Sequence, residues 1–236
     1  HIENINEITK LIMDLLTEDG VFISESHYLL PLVETLQYDT IYHEHLRYYS
    51  LHSLKYLLEK HGLEIIHAKQ ILTHGGSVRV YATRKGKYDV KDTVKKLLEK
   101  EKEVVLSKEK LLDFKDRVVL SKLQLYSMLL DIKKQGKKVY GIGAPSRAIT
   151  LINYVGIDNG IMDSVMEIKG SHKIEKYIPG TLIPVVEESK LFEDQPEYAL
   201  LLSWHIADEL ASKLKEKGFK GDFIIPLPKP RILKMN

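Results

Sequence analysis

Ile5, Ile8, Leu11, Ile12, Leu15 and Leu16 recur at the three-to-four spacing of one helix face, and Glu18-Asp19-Gly20 ends the run. Val21-Phe22-Ile23 follows as a short continuous apolar stretch, the pattern of a strand buried on both faces of a parallel sheet. Leu63-Glu-Ile-Ile-His67 and Ser77-Val-Arg-Val-Tyr81, joined through Thr73-His-Gly-Gly76, read as two further strands able to pair as a hairpin-like edge. Three strands make only a partial sheet, and a parallel strand needs neighbouring strand-helix units. None precedes Val21, and the chain starts on His1 rather than Met, so residues 1–88 are expected to be the tail end of a larger α/β domain.

Between Asp89 and Gly136 the chain is rich in charge and free of proline. Val94, Leu97, Leu98, Val105, Leu112, Val119, Leu123, Met128 and Leu129 keep the spacing of long amphipathic helices, so residues 89–136 read as a helical spacer whose Lys and Glu form a solvated face. From Lys137 the period changes. Lys137 to Arg147, a helical Ala148 to Val155, Ser164-Val-Met-Glu167, Ile183-Pro-Val-Val186, Tyr198 to Ser203, a helix from Ile206 to Lys217 and Phe223-Ile-Ile225 alternate strand with helix. That alternation predicts a Rossmann-like, mostly parallel sheet over residues 137–236. No internal repeat is evident.

Composition bounds the function. A chain of 236 residues holds about two domains, and 44% hydrophobic with 29% charged residues is ordinary for a folded protein. The absence of cysteine excludes a disulfide framework and a thiolate zinc site within these residues, and fits a reducing compartment. Thirty-five basic against 33 acidic side chains leave a net charge of +2, too balanced for nucleic acid or an anionic membrane as the main partner. No window approaches the ~18 apolar residues of a membrane helix, and no signal peptide is visible, so the expected location is the cytoplasm.

The densest polar constellation is Tyr42-His43-Glu44-His45. Histidine titrates near neutral pH, which makes a general base available for a carbon-bound or hydroxyl proton, with Glu44 able to orient a neighbouring ring. Two other readings stand beside it: a half-buried polar turn, and an ion shared by His43 and His45 on one face of a strand, for which no third ligand is obvious. His74-Gly75-Gly76-Ser77 allows close approach of backbone to a ligand, or simply makes a tight turn. Gly141-Ile-Gly143-Ala-Pro-Ser-Arg147 follows a strand and opens a helix, so its amides could hold a phosphate with Arg147 as counter-charge; it lacks the third glycine of a dinucleotide fingerprint, and a structural turn is the competing reading. Trp204-His205 falls at a strand's carboxyl end, where such folds place ligands, but a packed aromatic is the reading that takes precedence there.

Five motifs in order carry a resemblance: Tyr38-Asp-Thr-Ile-Tyr-His-Glu-His45, Thr73-His-Gly-Gly-Ser-Val-Arg-Val-Tyr81, Tyr140-Gly-Ile-Gly-Ala-Pro-Ser-Arg147, Lys173-Ile-Glu-Lys-Tyr-Ile-Pro-Gly-Thr181 with Ile183-Pro184, and Pro226-Leu-Pro-Lys-Pro-Arg-Ile232. Together they resemble the S-adenosyl-L-methionine-dependent sugar C-methyltransferases, which methylate a carbon of a nucleotide-linked deoxy-keto-sugar. The resemblance implies the end of a methyltransferase sheet, a helical spacer and a Rossmann-like C-terminal domain that helps hold the sugar nucleotide. It implies His45 as the base, Tyr42 and Glu44 as groups that position it or stabilise an enolate, and His1 as an assistant. His74, Gly75, Gly76, Ser77, Gly141, Gly143, Arg147, Lys173 and Arg231 are the implied substrate contacts. The family's cysteine-ligated zinc domain and its glycine-rich cofactor loop have no counterpart here, so no metal residues are expected. The chain alone is expected to be inactive: a part of a longer enzyme, one subunit of a split methyltransferase, or a sugar-nucleotide-binding module. Its partners would be the nucleotide-linked sugar and either a chain carrying the front half or a second copy. An NAD-linked dehydrogenase, the guess from Gly141 and Gly143 alone, ranks behind these because fold does not fix function.

Overall fold

A computed structural model describes residues 1–234, the side chain of His74 excepted. The chain divides into two compact units. Unit 1 comprises His1–Leu36 and His43–Lys115; unit 2 comprises Gln37–Tyr42 and the chain from Asp116 onward.

In unit 1, helix α1 (Ile5–Leu15) is capped at its start by Asn4, whose Oδ1 accepts from the Glu7 amide at 3.3 Å. At its end Arg84 donates to the carbonyls of Met13 and Leu16, satisfying acceptors that the last turn leaves without partners. Strand β1 (Phe22–His27) lies antiparallel to β3 (Ser77–Arg84), which in turn pairs antiparallel with β2 (Leu63–Ile71), giving the order β1-β3-β2. The expected hairpin-like pairing of the second and third strands is therefore present. The expected buried parallel strand at Val21-Phe22-Ile23 is not: β3 returns along β1, and Val21 and Ile23 are 43% and 55% exposed. Along β1 only alternate positions turn inward, so Phe22, Ser24 and Ser26 share a face with Ala82, Val80 and Val78.

Helices α2 (Leu29–Glu34) and α3 (Leu51–Lys60) complete this core with α4 (Asp92–Val104). The start of α3 shows how closely backbone demand is met. Ser50 and Ser53 form a reciprocal capping box, and the Leu51 and His52 amides donate to the carboxylate of Glu101 on α4, which has no exposed surface. The His52 ring lies 2.6 Å from the same carboxylate. Burial, and then this neighbouring carboxylate, push the Tyr28 hydroxyl far above its usual range and keep it protonated.

The 27-residue helix α5 (Lys108–Lys134) leads into unit 2. There β4 (Val139–Ile142), β5 (Ser164–Glu167), β6 (Val185–Glu187), β7 (Tyr198–Leu201), β8 (Asp222–Ile225) and β9 (Arg231–Leu233) form one sheet in the order β6-β5-β4-β7-β8-β9. The first five are parallel and β9 is antiparallel, so the Rossmann-like, mostly parallel sheet is present with an antiparallel edge. Helices α6 (Ser146–Val155), α7 (Ser189–Asp194) and α8 (Ala207–Glu216) provide the crossovers. The order reverses between β4 and β7, and in such sheets the crevice beyond the strand ends at that reversal is the usual ligand position. Among the described residues no helix is long and apolar enough to cross a membrane.

Replacing Glu101 by Ala should leave two first-turn amides of α3 without their acceptor and lower the stability of unit 1 by about 2–4 kcal/mol. The check is the urea midpoint of the variant against the parent; an unchanged midpoint would show that the cap contributes nothing.

Candidate functional site

Unit 1 contains a cavity of about 420 Å³. Its floor is the inner face of β1, Phe22, Ser24 and Ser26, with Val80 of β3. One wall is α1 through Ile5, Ile8 and Ile12, and another is α3 through Leu54, Leu57 and Leu58. Onto this apolar frame the segment His45–Tyr49 and the first residues of the chain bring polar groups: His1, His45, Arg47, Tyr48 and Tyr49 all line it. The His1 and His45 rings meet edge to face, with centroids 5.1 Å apart and planes at 86°, and the Tyr48 ring stands 6.0 Å beyond His45.

The His45 segment is irregular chain between a turn and α3 rather than a strand, which removes the geometric basis for an ion shared by His43 and His45 on one strand face. His43 and Glu44 are exposed, and Tyr42 is half-buried in unit 2. Three histidines, His1, His27 and His45, line this cavity, and an imidazole beside apolar walls can accept and return a proton.

Arg47 was not singled out by the sequence. Its guanidinium forks onto two backbone carbonyls, Nη1 to Ile2 at 2.5 Å and Nη2 to Glu3 at 2.8 Å, tying the segment that carries His1 to the one that carries His45. The signal lay two residues beyond the histidine, but its partners are 44 and 45 residues away in sequence.

A second constellation lies in unit 2. The turn Tyr38–Thr40 packs against α6, and Asp39 within it has no exposed surface. Arg147, at the start of α6, donates to both Asp39 oxygens, Nε to Oδ2 at 2.7 Å and Nη2 to Oδ1 at 2.9 Å. Trp204 Nε1 donates to Oδ2 at 2.8 Å, and Arg147 Nη1 lies 3.1 Å from Nδ1 of His205. Because a guanidinium has no lone pair to offer, Nδ1 of His205 is the acceptor in that contact. The Arg147 guanidinium also stands over the Trp204 ring, 5.1 Å from its centroid. Burial, and then the Asp39 charge, push the Tyr38 hydroxyl far above its usual range.

Arg147, expected as counter-charge to a phosphate, is thus 8% exposed and engaged with Asp39. The loop before it is also occupied. The Ala144 amide donates to Glu167 Oε2 at 3.1 Å, and Lys173 Nζ donates to the Ala144 carbonyl at 2.7 Å. Gly141 has a packing reason: a Cβ there would come within 2.9 Å of Val165 and 3.0 Å of Leu202. Gly76, at φ 126°, would set a Cβ 2.6 Å from Pro31, so the close approach that its position invites is to Pro31. Gly75 precedes it in the same turn, where Ser77 Oγ accepts from Thr73 Oγ1 at 3.2 Å. The side chain of His74 lies outside the described residues. Gly143 adopts φ 78°, and Arg231 is exposed on β9.

A family model described as C-methyltransferase C-terminal domain matches residues 72–228. The chain belongs to that C-methyltransferase family. It is also 32% identical over 240 residues to the C-methyltransferase NovU of Streptomyces niveus, an alignment that covers 99% of this chain and 56% of the relative. The chain therefore spans about half the length of the curated relative it matches. The match to the C-methyltransferase model covers β3, both long helices and most of unit 2, including Lys173 and the Gly143 loop, whereas His1 and His45 precede it. Among the described residues no group of three or more His, Asp or Glu side chains is placed to hold a metal ion.

Truncating Asp39 to Ala should strand the Arg147 charge in a buried site and destabilise unit 2 by about 3–5 kcal/mol. The double variant D39L/R147M should recover much of that loss. A double-mutant cycle in urea measures both, and additive losses would show that the pair is not coupled.

Proposed function

We propose that this chain is the acceptor-side part of an S-adenosyl-L-methionine-dependent methyltransferase that methylates a carbon of a nucleotide-linked deoxy-keto-sugar in the cytoplasm. The observation that carries the proposal is the edge-to-face pair of His1 and His45 over an apolar-walled cavity, in a chain of a C-methyltransferase family.

In this reading the cavity of unit 1 receives the sugar ring. His45 takes the proton from the carbon beside the ketone, and His1 at its edge assists by holding or relaying that proton. Glu44, adjacent to His45 in the chain, is proposed to position the base. The enolate carbon is the nucleophile for the methyl group that S-adenosyl-L-methionine supplies when bound. The residues of unit 1 do not fit that cofactor: its strands are antiparallel, and none of its glycines lies in a turn joining a parallel strand to a helix. No residue of unit 1 is therefore assigned to it.

The nucleotide is proposed to lie toward the carboxyl ends of the unit 2 strands, with Lys173 and Arg231 as cations for the diphosphate and the Gly143 loop as its backbone neighbour. Arg147 acts there through Asp39, fixing the loop. The His74–Ser77 turn is proposed to contribute to the sugar contacts of unit 1. Since the alignment covers 56% of the relative, the methyl-donor site is assigned to a segment or partner chain beyond these residues, and a split enzyme whose second subunit carries it is the companion proposal.

Calorimetric titration with a deoxythymidine diphosphate sugar should show binding to this chain, and S-adenosylhomocysteine should show none. Tight binding of S-adenosylhomocysteine would place the cofactor site within these residues and overturn the division of roles. In a preparation that transfers methyl groups, His45→Ala should lower kcat roughly 10²- to 10⁴-fold with sugar-nucleotide affinity nearly unchanged. A fully active variant would remove His45 as the base.

A further inference from the structure

We propose that Arg47 is a positioning residue that sets the contact between His1 and His45. The inference rests on the reading of His45 as the base and deepens it. Arg47 stands two residues after His45, so its backbone moves with that ring. Its two outer nitrogens reach the carbonyls of Ile2 and Glu3, the peptide units immediately after His1. The guanidinium is therefore a bridge between the segment that carries His1 and the one that carries His45, and Arg47 itself lines that cavity.

The bridge needs arginine. The two carbonyls belong to successive residues and precede the Asn4 cap, so helix α1 does not use them: the first amide bonded back in α1 is that of Ile8, which donates to the Asn4 carbonyl. A planar fork with two donors satisfies both acceptors at once and fixes the direction of approach, whereas a lysine ammonium on a flexible stem satisfies one and fixes neither. Position matters because proton transfer is steeply sensitive to geometry, and a displacement of about 1 Å can cost roughly 10²-fold in rate.

Arg47 is not needed to hold α1 itself. That helix has its own cap in Asn4 at one end and the Arg84 contacts to Met13 and Leu16 at the other, and its apolar face packs through Ile12 and Leu16 on the core. Removing the Arg47 side chain should thus release the His1 segment without unfolding unit 1, which separates positioning from general support.

The first test uses the chain as it is. With histidine labelled in the ring and assigned through His1→Gln and His45→Gln, the parent should show a nuclear Overhauser contact between the His1 and His45 rings. R47A should lose it while keeping the parent circular dichroism and urea midpoint, and R47K should retain only a weakened contact. Undiminished contact in R47A overturns the proposal; if R47A does not fold, R47K decides in its place, a weakened contact supporting the proposal and an undiminished one overturning it. The second test uses a methyl-transferring preparation. R47A should lower kcat roughly 10²-fold with KM for the sugar nucleotide within about twofold, and added methylguanidine should restore part of the rate. A rise in KM with kcat unchanged would overturn positioning. An active His45→Ala variant beside an R47A that has lost the ring contact would remove His45 as the base and leave the bridging role of Arg47 standing.

Discussion

A carboxylate with no exposed surface cannot be left alone in a protein interior, and Asp39 is such a group. Two nitrogens of Arg147 and the indole N–H of Trp204 compensate it, from residues 108 and 165 positions further along the chain. That one side chain collects three parts of unit 2 that share no local sequence: the Tyr38–Thr40 turn, the start of α6 and the turn that follows β7. It is also why six residues, Gln37–Tyr42, belong to unit 2 while the chain on both sides of them belongs to unit 1. The motif running from Tyr38 to His45 therefore has an anchored beginning in one unit and its two histidines in the other.

Unit 1 uses the same economy with a different carboxylate. Glu101 accepts from the first two amides of α3, and the helix it fixes carries Leu54, Leu57 and Leu58 into the cavity wall. The cavity thus depends on a buried acid that never touches it. In both units one buried carboxyl side chain, fully hydrogen-bonded, ties together elements that are distant in sequence.

Much of the fold was legible because it is written in local periodicity. The apolar spacing of residues 94–129 became two helices, and the alternation after Lys137 became the parallel sheet. The Val21–Ile23 stretch misled, since three apolar residues in a row look the same on a doubly covered strand and on one with an open face; the difference lies in β3, which arrives more than fifty residues later. Short helices such as α2 and α7 carry too few turns to show a period. At the site, His45 stood out by its company, and its link to His1 came through resemblance rather than pattern. Arg47 and Asp39 did not stand out: each acts on partners more than forty positions distant, and an isolated charged residue has no signature until the fold supplies its partner.

The Ala144 amide in the turn after β4 is engaged by Glu167, a side chain from the neighbouring strand. A tethered carboxylate of this kind competes with every anion in solution, at an effective concentration on the order of millimolar or above. Free phosphate or chloride must displace it to reach the amide, and gains little by doing so. A ligand that offers its own hydrogen-bond acceptor in place of Glu167 and engages Lys173 at the same time competes on better terms. The Glu167 contact in this sense weights the turn against simple ions and toward a molecule with several points of attachment.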